Sequence, residues 1–176
     1  MLVIGIACSC RPGSSSLKAV EEFLRGAAES GHKTELIKLN KDFRGCIGCQ
    51  GCKQGDGLCV QKDALARYFE LLPRAGAVVF GAAIYMGYPQ GEAWSFMNRH
   101  YCLTTADRKP KLETVKKIYP IIAQGAPDNP AYRANCEAMC KPFANYGLEV
   151  QPLLVVNRSD AEQKIAEAYE LGKAMA

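Results

Sequence analysis

Three short continuous apolar runs constrain the fold of this chain more than any other feature: LVIGIA at residues 2–7, AVVFGAAI at 77–84 and IYPIIA at 118–123. A run without polar alternation suits a strand whose sheet is covered on both faces, so these segments predict the interior of a parallel sheet. Between them the apolar residues recur at helical spacing. Residues 14–29, 63–72 and 92–103 read as helices, the second capped by Asp63. TELIKL at 34–39 and VQPLLVV at 150–156 read as two further strands. Residues 130–146 and 159–175 read as two further helices, the former kinked or shortened by Pro142. Strands alternating with helices predict an α/β three-layer sandwich: a five-stranded parallel sheet of order 2-1-3-4-5 with helices on both faces. Pro152 suits an edge strand, whereas Pro120 falls in an inner one and predicts a bulge or a shortened strand there.

With 176 residues, 48% hydrophobic and 23% charged, the chain suffices for one core, so residues 1–176 are expected to form a single domain. No apolar run reaches the length of a membrane span. Met1 leads into the first strand without a basic region or a small-residue cleavage site, which predicts neither leader nor anchor and a cytoplasmic protein. The net charge of +4 is spread without a Lys/Arg block, which argues against nucleic acid and for small molecules or proteins as partners. In a reducing compartment, nine cysteines read as metal ligands, redox thiols or small core residues rather than disulfides, and the odd count agrees.

The first chemical segment, CSCRPGSSSLK at 8–18, leaves the first strand, turns at Pro12 and Gly13, and opens a helix. Free N–H groups at the helix start, the hydroxyls of Ser9, Ser14, Ser15 and Ser16, and the guanidinium of Arg11 together make an anion trap. Neither the P-loop ending nor the dinucleotide glycine spacing is present, so a mononucleotide phosphate is the expected guest.

At these residues the chain resembles the NADPH-dependent FMN reductase family, which is flavodoxin-like, and most closely its iron-sulfur flavoprotein branch. Ser9, Arg11, Ser15 and Ser16 match the first loop, with serines in place of the usual Asn-Thr pair. The second flavin loop corresponds to AIYMGYPQGEAWSFMNR, which retains Tyr85 and Arg99 but has Ala83 for a proline, Trp94 for a lysine and Asn98 for an aspartate. The third loop matches loosely as QGA at 124–126. The resemblance implies FMN held by Ser9, Arg11, Ser14, Ser15, Ser16 and Leu17, by Ala83, Ile84, Tyr85, Met86 and Gly87, and by Gln124 and Gly125. It implies NAD(P)H as electron donor and a homodimer or homotetramer whose subunits complete each other's flavin sites. Residues 82–87 also suit a flat isoalloxazine ring on their own terms, combining small residues, an aromatic and a methionine at a strand's carboxyl end.

In the loop at residues 45–60, Cys46, Cys49, Cys52 and Cys59 have the spacing C-x2-C-x2-C-x6-C. One compact run of thiols resembles iron-sulfur ligation more than the separated knuckles of structural zinc, and Gly45, Gly48, Gly51, Gly55 and Gly57 let the backbone wrap closely. Lys41, Arg44, Lys53 and Lys62 are placed to offset the charge of a [4Fe-4S] cluster. The alternative is a structural loop whose thiols serve as small buried residues. Cys8, Cys10, Cys136 and Cys140 read as core or flanking residues, Cys102 has no motif, and His32, His100 and Trp94 read as structural.

The expected function is an FMN-dependent NAD(P)H oxidoreductase passing electrons to a small acceptor, a redox protein or the cluster, with no side chain assigned as acid or base. The alternative is a non-enzymatic flavodoxin-like electron carrier. The basic net charge lacks the acidic surface that would steer such a carrier to basic partners.

Overall fold

The computed structural model describes residues 1–9, 11–39, 43–54 and 57–175. In chain order the regular elements begin with β1 (Leu2–Ala7), α1 (Ser15–Glu29), β2 (Lys33–Lys38) and α2 (Ala64–Leu71). They continue with β3 (Ala75–Tyr85), β4 (Tyr88–Pro89), α3 (Gly91–Arg99) and β5 (Lys116–Gln124). The last third holds α4 (Pro130–Cys140), β6 (Leu148–Val150), β7 (Leu154–Asn157) and α5 (Ala161–Lys173). No helix among the described residues is long and apolar enough to cross a membrane.

The fold is α/β and flavodoxin-like, but the five-strand count needs correction. One seven-stranded sheet runs β2-β1-β3-β5-β6, with β4 antiparallel on β3 and β7 parallel on β5. The two extra strands have separate causes. β4 is a two-residue return after β3, unread because Tyr88 and Pro89 carry no strand pattern. β6 and β7 are the expected last strand in two pieces on one partner, with register Ile118↔Val150 before the break and Ile121↔Leu154 after it. Tyr119 and Pro120 therefore stand opposite three residues, Gln151, Pro152 and Leu153. Gln151 N–H donates to the Ile118 carbonyl at 2.9 Å. Alternate residues of a parallel strand address the same neighbour, so the missing Pro120 N–H falls at this interruption. The irregularity expected at Pro120 thus lies in the neighbouring strand, and β5 itself is unbroken over nine residues.

Successive strand residues feed opposite layers. Val3, Val79, Ile121 and Val156 pack with Val20, Phe23 and Leu24 of α1 and Ala168 of α5. Ile4, Ile6, Phe80 and Ile122 pack with Leu65 and Phe69 of α2, Phe96 of α3 and Met139 of α4. α1 and α5 approach backbone to backbone, because a Cβ on Gly26 would strike the Tyr169 carbonyl and one on Gly172 the Phe23 carbonyl. Pro142 ends α4 as expected, and residues Lys141–Tyr146 continue as 3-10 turns.

Candidate functional site

The first loop begins where β1 ends. Cys8 N–H donates to the Gly81 carbonyl at 2.8 Å, and the chain then turns through Gly13 at φ 65°. Ser14 caps α1: its Oγ accepts from Leu17 N–H at 3.3 Å and lies 3.3 Å from Ser16 Oγ. This spends the Leu17 N–H inside the cap and turns the Leu17 side chain into the core, away from the cleft. The N–H groups of Ser15 and Ser16 have no acceptor within the helix, and they form its positive end. The helix start sits low over the sheet because Gly81 lacks a side chain; a Cβ there would lie 2.7 Å from the Ser16 carbonyl oxygen.

The second loop is a tight hairpin. Tyr85 pairs with Tyr88, and the two central residues, Met86 at φ 51° and Gly87 at φ 84°, take the left-handed conformations of a type I′ turn. Met86 stands 96% exposed at the tip, and the Gly87 carbonyl accepts from Asn135 Nδ2 at 2.9 Å. Both lie beyond the cleft wall, which Ala83, Ile84 and Tyr85 supply. The third loop contributes Ala123, Gln124 and Gly125. Gln124 is buried and its amide donates to Asn157 Oδ1 at 2.7 Å and to the Pro127 carbonyl at 2.9 Å, so it braces the loop.

These loops and Ser9, Arg11, Ser14, Ser15 and Ser16 converge on one cleft of about 210 Å³ at the carboxyl ends of β1, β3 and β5. Arg158 and Ala161 complete its wall and were missed in the sequence, although NRSD directly after a strand end is where this architecture places ligand contacts. Among the described residues that line it, none is acidic, whereas Arg11 and Arg158 are both basic. A larger groove of about 520 Å³ has the amino ends of β3 and β5 and the carboxyl end of α5 as walls, the wrong end of a helix for an anion.

The four loop cysteines, Cys46, Cys49, Cys52 and Cys59, line a second, small cavity of about 20 Å³ together with Arg99, Tyr101 and Cys102. Cys46 and Cys49 are exposed and Cys52 is buried. Left-handed residues at Gly48 and Gln50 turn the chain between successive thiols. Arg99, read in the sequence with the flavin helix, belongs here. Its fully buried guanidinium donates to Asp63 at 2.6 and 3.2 Å and to the Arg44 carbonyl at 2.8 Å, and lies beside Cys59. Burial opposes ionisation of Asp63, but the Arg99 hydrogen bond and the Arg44 N–H outweigh it and hold its carboxyl below the usual range. Burial, with Cys59 close by, pushes the Cys102 thiol up to about 12. Among the described residues, no three His, Cys, Asp or Glu side chains are grouped to hold one metal ion.

The charges expected to offset a cluster are placed differently. Lys53 Nζ is spent on the carbonyls of Tyr101 and Thr104 at 2.6 and 2.5 Å, and Lys41 and Gly55 lie outside the described residues. Lys111, missed in the sequence, donates to the carbonyls of Cys52 at 2.8 Å and Gly57 at 2.7 Å. Cys136 and Cys140 are core residues whose thiols burial raises to about 11 and about 12; Cys10 lies outside the described residues. His100 is also core: Nδ1 donates to the Phe96 carbonyl at 2.9 Å, Nε2 accepts from Tyr68 OH at 2.8 Å, and burial lowers its pKa to about 4.

A family model described as NADPH-dependent FMN reductase matches residues 1–139. The chain belongs to that family. Two curated relatives agree with it. An iron-sulfur flavoprotein of Methanocaldococcus jannaschii is 34% identical over 100 residues, 56% of this chain and 51% of the relative. Another, of Methanosarcina thermophila, is 31% identical over 91 residues, 51% of this chain and 47% of the relative. The chain thus spans about half the length of the curated relatives it matches. Among solved structures, an NAD(P)H:quinone oxidoreductase from Methanothermobacter marburgensis aligns over 100% of this chain and 99% of its own at TM-score 0.78 and 16% identity, a likeness of fold.

Proposed function

We propose that the chain is an FMN-dependent NAD(P)H oxidoreductase whose flavin occupies the cleft between the β1–α1, β3–β4 and β5–α4 loops. The observation that carries this is the convergence of a helix N-terminus, four serines and two arginines on one cleft without an acidic residue among the described residues that line it. Such a donor set suits a phosphate monoester: the Ser15 and Ser16 N–H groups supply direction, and Arg11 and Arg158 supply charge. Tyr85, Ala83 and Ile84 then offer a small-residue and aromatic wall for the ring. When bound, FMN supplies the hydride and single-electron chemistry. The chain's own part is to bind and orient, and no side chain in the cleft is placed as an acid or base.

The loop thiols suit an iron-sulfur cluster by donor chemistry, because soft thiolates select such centres and zinc. Arg99, beside Cys59, brings positive charge to that cavity. A four-iron cluster takes one thiolate per iron, so its ligands Cys46, Cys49, Cys52 and Cys59 need not share one ion. A matching flavin-to-cluster route is consistent with the names of the two relatives. The electron acceptor is then the cluster, a small molecule such as a quinone, or a redox protein. Association into a homodimer or homotetramer, with the exposed hairpin residues Tyr85, Met86 and Tyr88 at the contact, accompanies this reading.

Steady oxidation of NADH or NADPH with a quinone, monitored anaerobically, tests the enzyme. Bound flavin that neither nucleotide reduces would make the chain a flavodoxin-like carrier instead. Iron and acid-labile sulfide after anaerobic reconstitution test the cluster; FMN without retained iron would return the cysteines to a structural role.

A further inference from the structure

The two flavin loops are separated by more than seventy residues, yet one buried side chain joins them. Gln90, 5% exposed, sits between β4 and α3. Its Oε1 accepts from Ala83 N–H at 2.8 Å, and its own N–H donates to the Ala83 carbonyl at 2.9 Å. Its Nε2 donates to the Cys8 carbonyl at 2.7 Å and to Glu92 Oε2 at 2.8 Å. The carboxamide thus holds Cys8, the residue next to Ser9 in the first loop, and Ala83, the first wall residue of the second. Every polar atom of the side chain is spent on the protein, so Gln90 has no capacity left for a ligand.

We infer that Gln90 is a positioning residue that keeps the phosphate half and the ring half of the cleft in register. The inference rests on the proposed FMN reading. FMN must satisfy both loops at once, and the advantage of linking two contacts in one ligand depends on their separation matching the span between them. Without the Gln90 bond the Cys8 carbonyl loses its tie to the second loop, while the Cys8 N–H keeps the first loop on the Gly81 carbonyl of β3. The Ala83 N–H, held by Gln90, is at the same time withdrawn from any ligand.

A ligand pair separates positioning from simple support. FMN engages both halves, whereas riboflavin, which lacks the phosphate, engages the ring half. Dissociation constants for both are measured on the full chain, on Gln90→Leu, and on Gln90→Met, which matches glutamine in length, adds no charge and loses the donor to Cys8. The ratio of riboflavin to FMN dissociation constants should fall about fivefold in both variants, the effect of one lost hydrogen bond. Circular dichroism and the melting midpoint confirm the fold. If Gln90→Leu does not fold, Gln90→Met decides. FMN and riboflavin weakening in parallel, or neither changing, would overturn the inference and leave Gln90 a core support. A native chain with no affinity for either flavin would overturn the FMN reading itself.

Discussion

The flavin cleft and the cysteine cavity reach similar chemistry, a concentration of positive charge around an expected anion, by opposite constructions. The cleft is made by the fold: three strand ends and one helix start deliver its walls, and its arginines, Arg11 and Arg158, are exposed. The cavity is made by side chains. Among its described residues the loop around it has one 3-10 turn, Gly51–Lys53; its own Lys53 reaches out to the Tyr101 and Thr104 carbonyls, and Lys111, Gln61 and Arg99 fasten it from outside. On the proposed reading an arginine in the first region binds the ligand, whereas Arg99 in the second is tied into the protein by Asp63 and the Arg44 carbonyl. Substitutions should separate the two roles.

The largest effect is expected at Arg99. Arg99→Met removes one partner of a buried ion pair and should cost about 3 to 5 kcal/mol, lowering the melting midpoint by about 10 °C. The FMN affinity of the folded fraction should stay unchanged, as measured by flavin titration below the transition. A large loss of flavin affinity would erase the distinction between the regions.

His100, which ends α3, is buried among aromatic side chains, and burial is the chief cause that lowers its pKa from 6.5 to about 4. The unfolded chain gains a proton on this residue near pH 6.5 and the folded chain does not until about pH 4. Stability should therefore fall as pH drops across that window, by on the order of 3 kcal/mol. Urea midpoints measured across it should show the decline, and His100→Gln should flatten it. An equal slope in the variant would assign the decline to other groups.

Arg11→Ala should show the reverse of Arg99→Met. Charge-assisted bonds to a phosphate contribute about 1.5 to 3 kcal/mol, so FMN affinity should fall at least about tenfold while the melting midpoint of the flavin-free protein holds. Arg158→Ala, at the far wall, should have a smaller effect of the same kind, about threefold, with riboflavin binding untouched. Equal losses for FMN and riboflavin would move these arginines away from the phosphate.

The sequence made the cleft far more legible than the cavity's surroundings, for physical reasons. Continuous apolar runs mark doubly covered strands, and strand ends in this architecture locate a ligand, so Arg11, Ser15 and Tyr85 could be placed without a contact in view. Leu17, Met86 and Gly87 were named with their loops, and the coordinates place Leu17 N–H in the Ser14 cap and Met86 and Gly87 at the tip of a hairpin. The cysteine spacing raised cluster ligation or a structural loop, but not that Arg99 would turn toward the thiols from the end of α3 or that Lys111 would reach back across 59 residues. Such ties join segments through single side chains and leave no periodic signal. The split of the last strand was half legible: Pro120 and Pro152 announced an irregularity, but their opposition across the ladder is a property of the register. Gln90 carried no sequence signal at all.

The central claim is that the cleft holds FMN, and the flavin carried by the protein tests it most directly. Heat or acid release from purified protein, followed by chromatographic identification and quantitation against protein, should give FMN at one per chain. FAD in its place, or a protein that neither carries FMN nor binds it when it is added, would contradict the account.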